Sequence, residues 1–334
     1  MTRPIIVASN RLHPEVAGRL AAIGPLHAPE GDQPLSAEQQ ARLLPQASAF
    51  MGFMTDCVDA RWLAGAPSMK IVAAALKGFD SYDVDACERA GVWLSIVPDL
   101  LTEPTAELAL GLAIALGRHI RAGDAHVRSG NFVGWRPVLY GSGLAGATVG
   151  VVGLGAVGRA IIDRLQGFGT RQILGVDPAS SDDRAKSVEL HTALEESDFL
   201  FLAAPLTATS RHLVDESALR RARPGQLMIN IGRGSVVDEE AIATALDRQR
   251  LAGYAADVFE FEDWALPDRP RSVSARLRTH PRTVFTPHLG SGVASVRLAI
   301  EHRAADNIIA ALNGETPPDA INQGRFRPRS SALT

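Results

Sequence analysis

An apolar run that breaks into spaced glycines, Thr148-Val-Gly-Val-Val-Gly-Leu-Gly-Ala-Val-Gly158, constrains this 334-residue chain more than any other segment. A strand ending in Gly153-x-Gly155-x-x-Gly158 and opening a helix, read here as Ala160 to Phe168, is how a sheet presents its backbone to a dinucleotide pyrophosphate. The first glycine permits the turn, the second lets the backbone approach the phosphates, and the third lets the helix pack closely on its strand. Amide groups at the helix start then face the anion. The next strand, Gln172-Ile-Leu-Gly-Val-Asp177, ends in a carboxylate placed to accept the ribose hydroxyls and to repel a 2'-phosphate, which favours NAD over NADP. The same residues would also serve an ordinary strand–turn–helix unit with Asp177 as a strand-end cap.

Composition narrows the partners. Hydrophobic residues at 46%, charged residues at 21% and a net charge of -3 describe a globular chain with no general pull toward nucleic acid or membrane surfaces. No apolar segment reaches spanning length, and the apolar start Met1–Asn10 is too brief for a signal sequence. Cys57 and Cys87 lack the spacing of a metal or redox pair, so no metal is expected and both read as buried thiols of a cytoplasmic protein.

Strand-like and helix-like runs alternate almost throughout, the pattern of α/β architecture with parallel sheets covered on both faces. Strands at Ile5–Ala8, Ala49–Met54, Ile71–Leu76 and Val92–Val97, with helices at Pro14–Ile23 and Asp83–Ala90, precede the fingerprint, so a complete smaller domain comes first. Pro104–Arg121 reads as one long helix, apolar nearly all round, which must be covered on several sides. Further strands follow at Phe199–Ala204, Gln226–Ile231, Gly253–Val258 and Thr283–Thr286. The helix Val293–Leu312 is long enough to return to the first domain, and the tail from Glu315 reads as loosely held.

Ligands of open α/β sheets sit at the carboxyl ends of strands. Three strands here close on Arg233, on Asp257-Val-Phe-Glu-Phe-Glu262 and on Pro287-His288, bringing a cation, carboxylates and a proton-handling imidazole to one sheet edge. Singly, each has a bland role as surface ion pair, solvated carboxylate or core histidine.

Gly153 to Gly158, Arg233-Gly-Ser-Val-Val-Asp-Glu239, Asp257 to Glu262 and Pro287-His288 resemble the D-isomer-specific 2-hydroxyacid dehydrogenase family over nearly the whole chain. The resemblance implies two doubly wound, Rossmann-like domains, with an NAD-binding domain (101–290) inserted into a split substrate domain (1–100 and 291–334), in a homodimer. It implies an active site of Arg233, Glu262 and His288. It also gives the cofactor contacts as Gly153, Gly155, Ala156, Val157, Gly158, Asp177, Pro178, Thr105 and Pro205, with Asp257 and His288 beside the nicotinamide.

Leu76-Lys77-Gly78-Phe-Asp80, with Val97–Glu107, Arg128–Pro137, Tyr140–Gly143 and Gly253–Trp264, is similar to the branch of that family that oxidises phosphite to phosphate. That likeness implies a small oxyanion substrate bound by Lys77, Gly78, Arg233, Met54, Trp135, Tyr140, Ser291 and Arg297, with Lys77 joining Arg233, Glu262 and His288 as a catalytic residue that orients the substrate. Lys77, Arg233 and Arg297 together supply three cations, which a dianion can use and a monoanionic 2-hydroxy acid would leave uncompensated. Pairing of Lys77 with Asp80, or of Arg297 with Glu301, is the plain alternative. His288, oriented by Glu262, serves either as base for the attacking water or as a cationic clamp. A D-2-hydroxyacid dehydrogenase of the glyoxylate or hydroxypyruvate reductase type uses the same three residues, and a non-catalytic NAD-binding regulator is a third possibility.

Overall fold

A computed structural model describes residues 3–324 and 326. The chain divides into two compact units: Met1–Leu101, Trp264–Pro267 and Val293–Thr334 make one, and Thr102–Asp263 with Asp268–Gly292 the other. No helix among the described residues is long and apolar enough to cross a membrane.

The first unit is built on a parallel sheet of β1 (Ile5–Ala8), β2 (Leu26–His27), β3 (Ala47–Gly52), β4 (Ile71–Ala74) and β5 (Trp93–Ser95), in the order β2-β1-β3-β4-β5. Parallel strands need both faces covered, so their sequences are apolar throughout rather than alternating. Side chains still alternate across the sheet. Ile6, Met51 and Ile71 pack on one side with Ile300, Ala304 and Ile308 of the helix Ala294–Leu312, and Val7, Phe50 and Val72 pack on the other with Leu63 and Tyr82. The last helix therefore returns to the first unit, as its length predicts.

The second unit holds a seven-stranded parallel sheet: β6 (Thr148–Val152), β7 (Gln172–Val176), β8 (Lys186–Ser187), β9 (Phe199–Leu202), β10 (Gln226–Asn230), β11 (Leu251–Ala256) and β12 (Thr283–Phe285), ordered β12-β11-β10-β9-β6-β7-β8. Counted from β6 this is the doubly wound arrangement, whose strand order reverses between β6 and β9. Both units thus have the expected parallel-sheet α/β class. Register aligns the strand ends. Val176, Val152, Leu202, Asn230, Ala256 and Phe285 form one row across the sheet, so Asp177, Gly153, Asp257 and Thr286 all leave at one edge.

Several expectations change. Pro104–Arg121 is two helices, Thr102–Gly117 and Ile120–Arg128, with His119 in the left-handed region at φ 54° between them. The cause is distant in sequence. Ser142 N donates to Gly117 O at 2.8 Å, and a Cβ on Gly117 would approach Ser142 O to 2.8 Å, so docking of residues 141–142 takes up a carbonyl at the helix end. The apolar first helix is covered by the helix Ala156–Leu165, β10 and β11. The fingerprint helix starts at Ala156 and ends at Leu165, running on as a 3-10 turn through Phe168. The segment after Glu315 is held where it is described: Ala320 bridges Ser95, Arg303 pairs with Asp319 at 2.6 Å, and Asn322 is buried. The rest of that tail lies outside the described residues. Cys87 is buried, which pushes its thiol up to about 12, but Cys57 is exposed, in the irregular segment just before the Val58 bridge.

Candidate active site

The glycine turn has the geometry a pyrophosphate needs. Gly153 takes φ 91°, and a Cβ there would lie 2.7 Å from Ala204 N, so β6 and β9 can exit side by side only with glycine. Gly155 caps the helix Ala156–Leu165 with no side-chain hydrogen bond, which leaves the amides of Ala156 and Val157 at an open helix start. A Cβ on Gly158 would fall 1.9 Å from Gly153 O, so the third glycine sets the helix-to-strand distance. Asp177 accepts Leu154 N at 2.8 Å and, through its other oxygen, Ala179 N at 2.8 Å and Ser180 N at 3.0 Å. It therefore fastens the glycine turn to the Pro178 loop as well as closing β7. Pro205 opens the segment after β9, its carbonyl accepting Ser210 Oγ at 2.6 Å.

The other exits carry the charged groups. Arg233 leads into a 3-10 turn, Gly234–Val236, and its Nη1 donates to Gly232 O at 2.9 Å. Asn230, fully buried at the end of β10, donates to Arg233 O at 2.9 Å and accepts Gly232 N at 3.2 Å. Sequence reasoning missed this residue, although a buried amide just before a Gly-Arg-Gly turn is a signal for a clamped backbone. Asp257 accepts Thr286 Oγ1 at 2.6 Å, Leu289 N at 2.6 Å and Gly290 N at 2.8 Å. Burial pushes its carboxyl up from the usual range, against these hydrogen bonds and the nearby His288. Asp257 therefore holds the 286–290 loop, in which His288 takes φ 55°, an unfavourable conformation for a non-glycine residue. His288 Nδ1 lies 2.6 Å from Glu262 Oε2, with both side chains partly buried. A carboxylate at Nδ1 fixes the tautomer and turns Nε2 toward a ligand. Thr105, in the first turns of its helix, meets the same loop: a Cβ on Gly290 would come 3.0 Å from Thr105 Oγ1 and 3.3 Å from Asp257 Oδ2. Ser291 follows, buried. Trp135 and Tyr140 are 74% and 71% exposed in the chain, so neither packs in the core.

In the first unit, Lys77 and Gly78 follow β4, and Met54 follows β3 and packs on the core cluster of Phe50 and Val72. Burial lowers the Lys77 ammonium below its ordinary value, with Asp99 opposing. Arg297 Nη1 donates to Ala75 O at 3.4 Å, and its guanidinium lies 5.8 Å from the Phe53 ring centre. Burial lowers it too, with Glu301 opposing. Two desolvated cations thus stand at the exit of β4. Asp99 is the carboxylate whose charge acts on Lys77.

The profile of the D-isomer specific 2-hydroxyacid dehydrogenase NAD binding domain matches residues 110–290. A glyoxylate reductase of Thermococcus litoralis is 36% identical, the match covering 83% of this chain and 84% of that one. The chain belongs to the D-isomer specific 2-hydroxyacid dehydrogenase family. Among solved structures, a 2-hydroxyacid dehydrogenase from Ketogulonicigenium vulgare superposes with a TM-score of 0.81 at 29% identity, covering 96% of this chain and 99% of that one. An NADPH-dependent glyoxylate/hydroxypyruvate reductase from Sinorhizobium meliloti, in complex with NADP and malonate, gives 0.82 at 28%, covering 98% of this chain and 100% of that one. Membership makes the glycine turn of this dehydrogenase part of an NAD-binding domain, and the bare helix start and the Gly158 packing fit that cofactor. The family shares the Rossmann-like organisation of both sheets, so the expected fold class holds.

Proposed function

We propose that the chain is an NAD-dependent dehydrogenase of a small anion, with Arg233 binding a substrate oxygen, Glu262 orienting His288, and His288 Nε2 handling the proton. The observation that carries this reading is the 2.6 Å bond between His288 Nδ1 and Glu262 Oε2, on a loop that Asp257 holds in a strained conformation. Bound NAD supplies the hydride acceptor. Asp257, Thr105 and Pro205 are its expected partners on the nicotinamide and phosphate side, and Asp177 and Pro178 on the adenosine ribose side, with Asp177 favouring NAD over NADP. Preorganised donors beside developing charge then supply most of the rate enhancement.

The relatives support 2-hydroxy and 2-oxo acids as the substrate class, of the glyoxylate or hydroxypyruvate reductase type. In that reading Arg233 pairs with the substrate carboxylate, and His288 exchanges a proton with the hydroxyl or carbonyl oxygen. A second reading, phosphite oxidised to phosphate as in phosphonate dehydrogenase, is favoured by a specific observation. Lys77 and Arg297 bring two partly desolvated cations to the exit of β4, beyond what a monoanionic acid requires. The segments 76–80, 97–107 and 253–264 support it as well. There His288 activates the attacking water or clamps the anion, and Met54, Gly78, Ser291, Trp135 and Tyr140 complete the substrate contacts.

One set of assays decides. Purified protein is mixed with NAD and phosphite, and separately with NADH and glyoxylate or hydroxypyruvate, and absorbance of the reduced cofactor is followed. Turnover of the oxo acids alone supports the first reading, and NADH formed from phosphite supports the second. Absence of turnover with either class, with NADH still bound, removes the enzymatic reading.

A further inference from the structure

The turns bearing Arg233 and Glu262 are tied together by groups that the chemistry itself does not use. Arg233 precedes the 3-10 turn Gly234–Val236, and Glu262 ends the 3-10 turn Glu260–Glu262. Their strands, β10 and β11, pair directly, so the two segments leave the sheet as neighbours. Three links join them beyond the sheet. Gly234 lies so close to the other segment that a Cβ would fall 1.8 Å from Phe259 C. Ser235 N donates to Asp263 Oδ2 at 2.6 Å. Glu239 N donates to Glu260 Oε1 at 2.8 Å while Glu260 N donates to Glu239 Oε1 at 2.9 Å, a reciprocal exchange in which each carboxylate satisfies the other residue's backbone.

Two facing carboxylates are a costly way to gain stability. Glu239 is 4% exposed, and burial pushes its carboxyl up to about 7, with Glu260 raised by burial as well. Glu262, Asp263 and Asp238 add negative charge around the pair. The His212 imidazole faces the pair, its Nε2 3.6 Å from Glu260 Oε2, and the His212 backbone N–H donates to Ser235 O at 2.7 Å. Apolar side chains would avoid the desolvation cost but leave two buried N–H groups without acceptors. What the carboxylates add is a fixed distance between two strand exits.

We propose that Glu239 and Glu260 are positioning residues that lock the exits of β10 and β11 together and so fix Arg233 relative to the Glu262–His288 pair. The inference rests on the catalytic reading of those three residues. Glu262 is two positions beyond Glu260, so a rotation of that turn moves its carboxylate off His288 Nδ1.

Glu260→Met keeps the length of the side chain and removes the acceptor, whereas Glu260→Gln keeps an oxygen for the Glu239 N–H. The expected result is a fall in kcat of about tenfold to a hundredfold for Glu260→Met, the scale of an ångström-sized misplacement, with a smaller loss for Glu260→Gln. NADH affinity stays at the wild-type value, because the glycine turn is untouched. Thermal unfolding of the same samples separates lost geometry from lost fold. If Glu260→Met does not fold, Asp263→Ala against Asp263→Asn breaks the Ser235 link and gives the same readout. Wild-type kcat in Glu260→Met or Asp263→Ala, or equal losses in Glu260→Gln and Glu260→Met, overturns the clamp. Arg233→Ala measured in parallel keeps the two failures apart: if it retains turnover, the catalytic reading has failed; if it abolishes turnover while Glu260→Met stays active, only the clamp has.

Discussion

A carboxyl buried as deeply as that of Glu239 makes folding depend on pH. Its value of about 7 in the folded chain stands above the ordinary 4.5, so the native state binds a proton that the unfolded chain has released between those two values. Stability from this group is therefore full below pH 4.5 and is lost as pH rises toward and past 7. The span corresponds to about 3 kcal/mol at most. Glu239→Gln, which keeps the acceptor for Glu260 N, is expected to flatten this dependence and to be the more stable protein at pH 8 by on the order of 1–3 kcal/mol. Denaturant unfolding at pH 5 and pH 8 checks it, and parallel curves for the two proteins would contradict it. Lys77 gives a second test at this scale. Removing a partly desolvated ammonium that binds an oxyanion costs about 1.5–3 kcal/mol, so Lys77→Ala is expected to raise the anion KM by about tenfold to a hundredfold. The NAD KM should hardly move. Unchanged kinetics for the anion would take the lysine out of the substrate site.

At the scale of elements, the most exposed dependency is the contact between the helix Ala156–Leu165 and its own turn. A methyl at 158 meets a backbone carbonyl at 1.9 Å, and neither group is a flexible side-chain end. Gly158→Ala must therefore push the helix start away from Gly153 and spoil the amide cradle, at an overpacking cost of about 1–3 kcal/mol, equivalent to roughly fivefold to a hundredfold in affinity. Fluorescence titration with NADH measures this directly, and a wild-type dissociation constant would show that the helix has room. That cradle was legible in sequence because its determinants are local: an apolar strand, three glycines at fixed spacing, and Asp177 closing the next strand. Arg233 and His288 were legible three residues past the apolar runs of β10 and β12, and Glu262 in the turn six residues past β11, because the register aligns those strand ends. The break at His119 was not, since its cause is the docking of residues 141–142 on Gly117 rather than any helix breaker nearby. Nor was the Glu239–Glu260 exchange, which exists only because β10 and β11 are neighbours. The two-residue strands β2 and β8 are too short to leave a periodicity.

For the whole molecule, the segment after the helix Ile120–Arg128 sets a problem that one copy of the chain leaves unsolved. Every residue from 127 to 143 is exposed, and eight of the twelve exposed large apolar residues in the described chain fall between Ile120 and Tyr140, Val133 at 77% and Trp135 at 74% among them. Scattered single exposures are ordinary, but a concentration of this kind in one segment marks a surface that another protein covers. A second copy is the economical partner, because a two-fold axis lets one self-complementary patch cover itself on both subunits. We therefore propose a homodimer formed through this segment, with Trp135 and Tyr140 buried by the partner. Light scattering coupled to size exclusion is expected to give twice the chain mass of 35.5 kDa. Val133→Asp and Trp135→Asp each place a charge where the partner must desolvate it, at a cost of several kcal/mol, and should shift the population to monomer at micromolar concentration. Their far-ultraviolet circular dichroism should stay unchanged, since neither side chain belongs to a core cluster. A wild-type monomer, or a dimer indifferent to both charges, would mean that this apolar segment faces something other than its own copy.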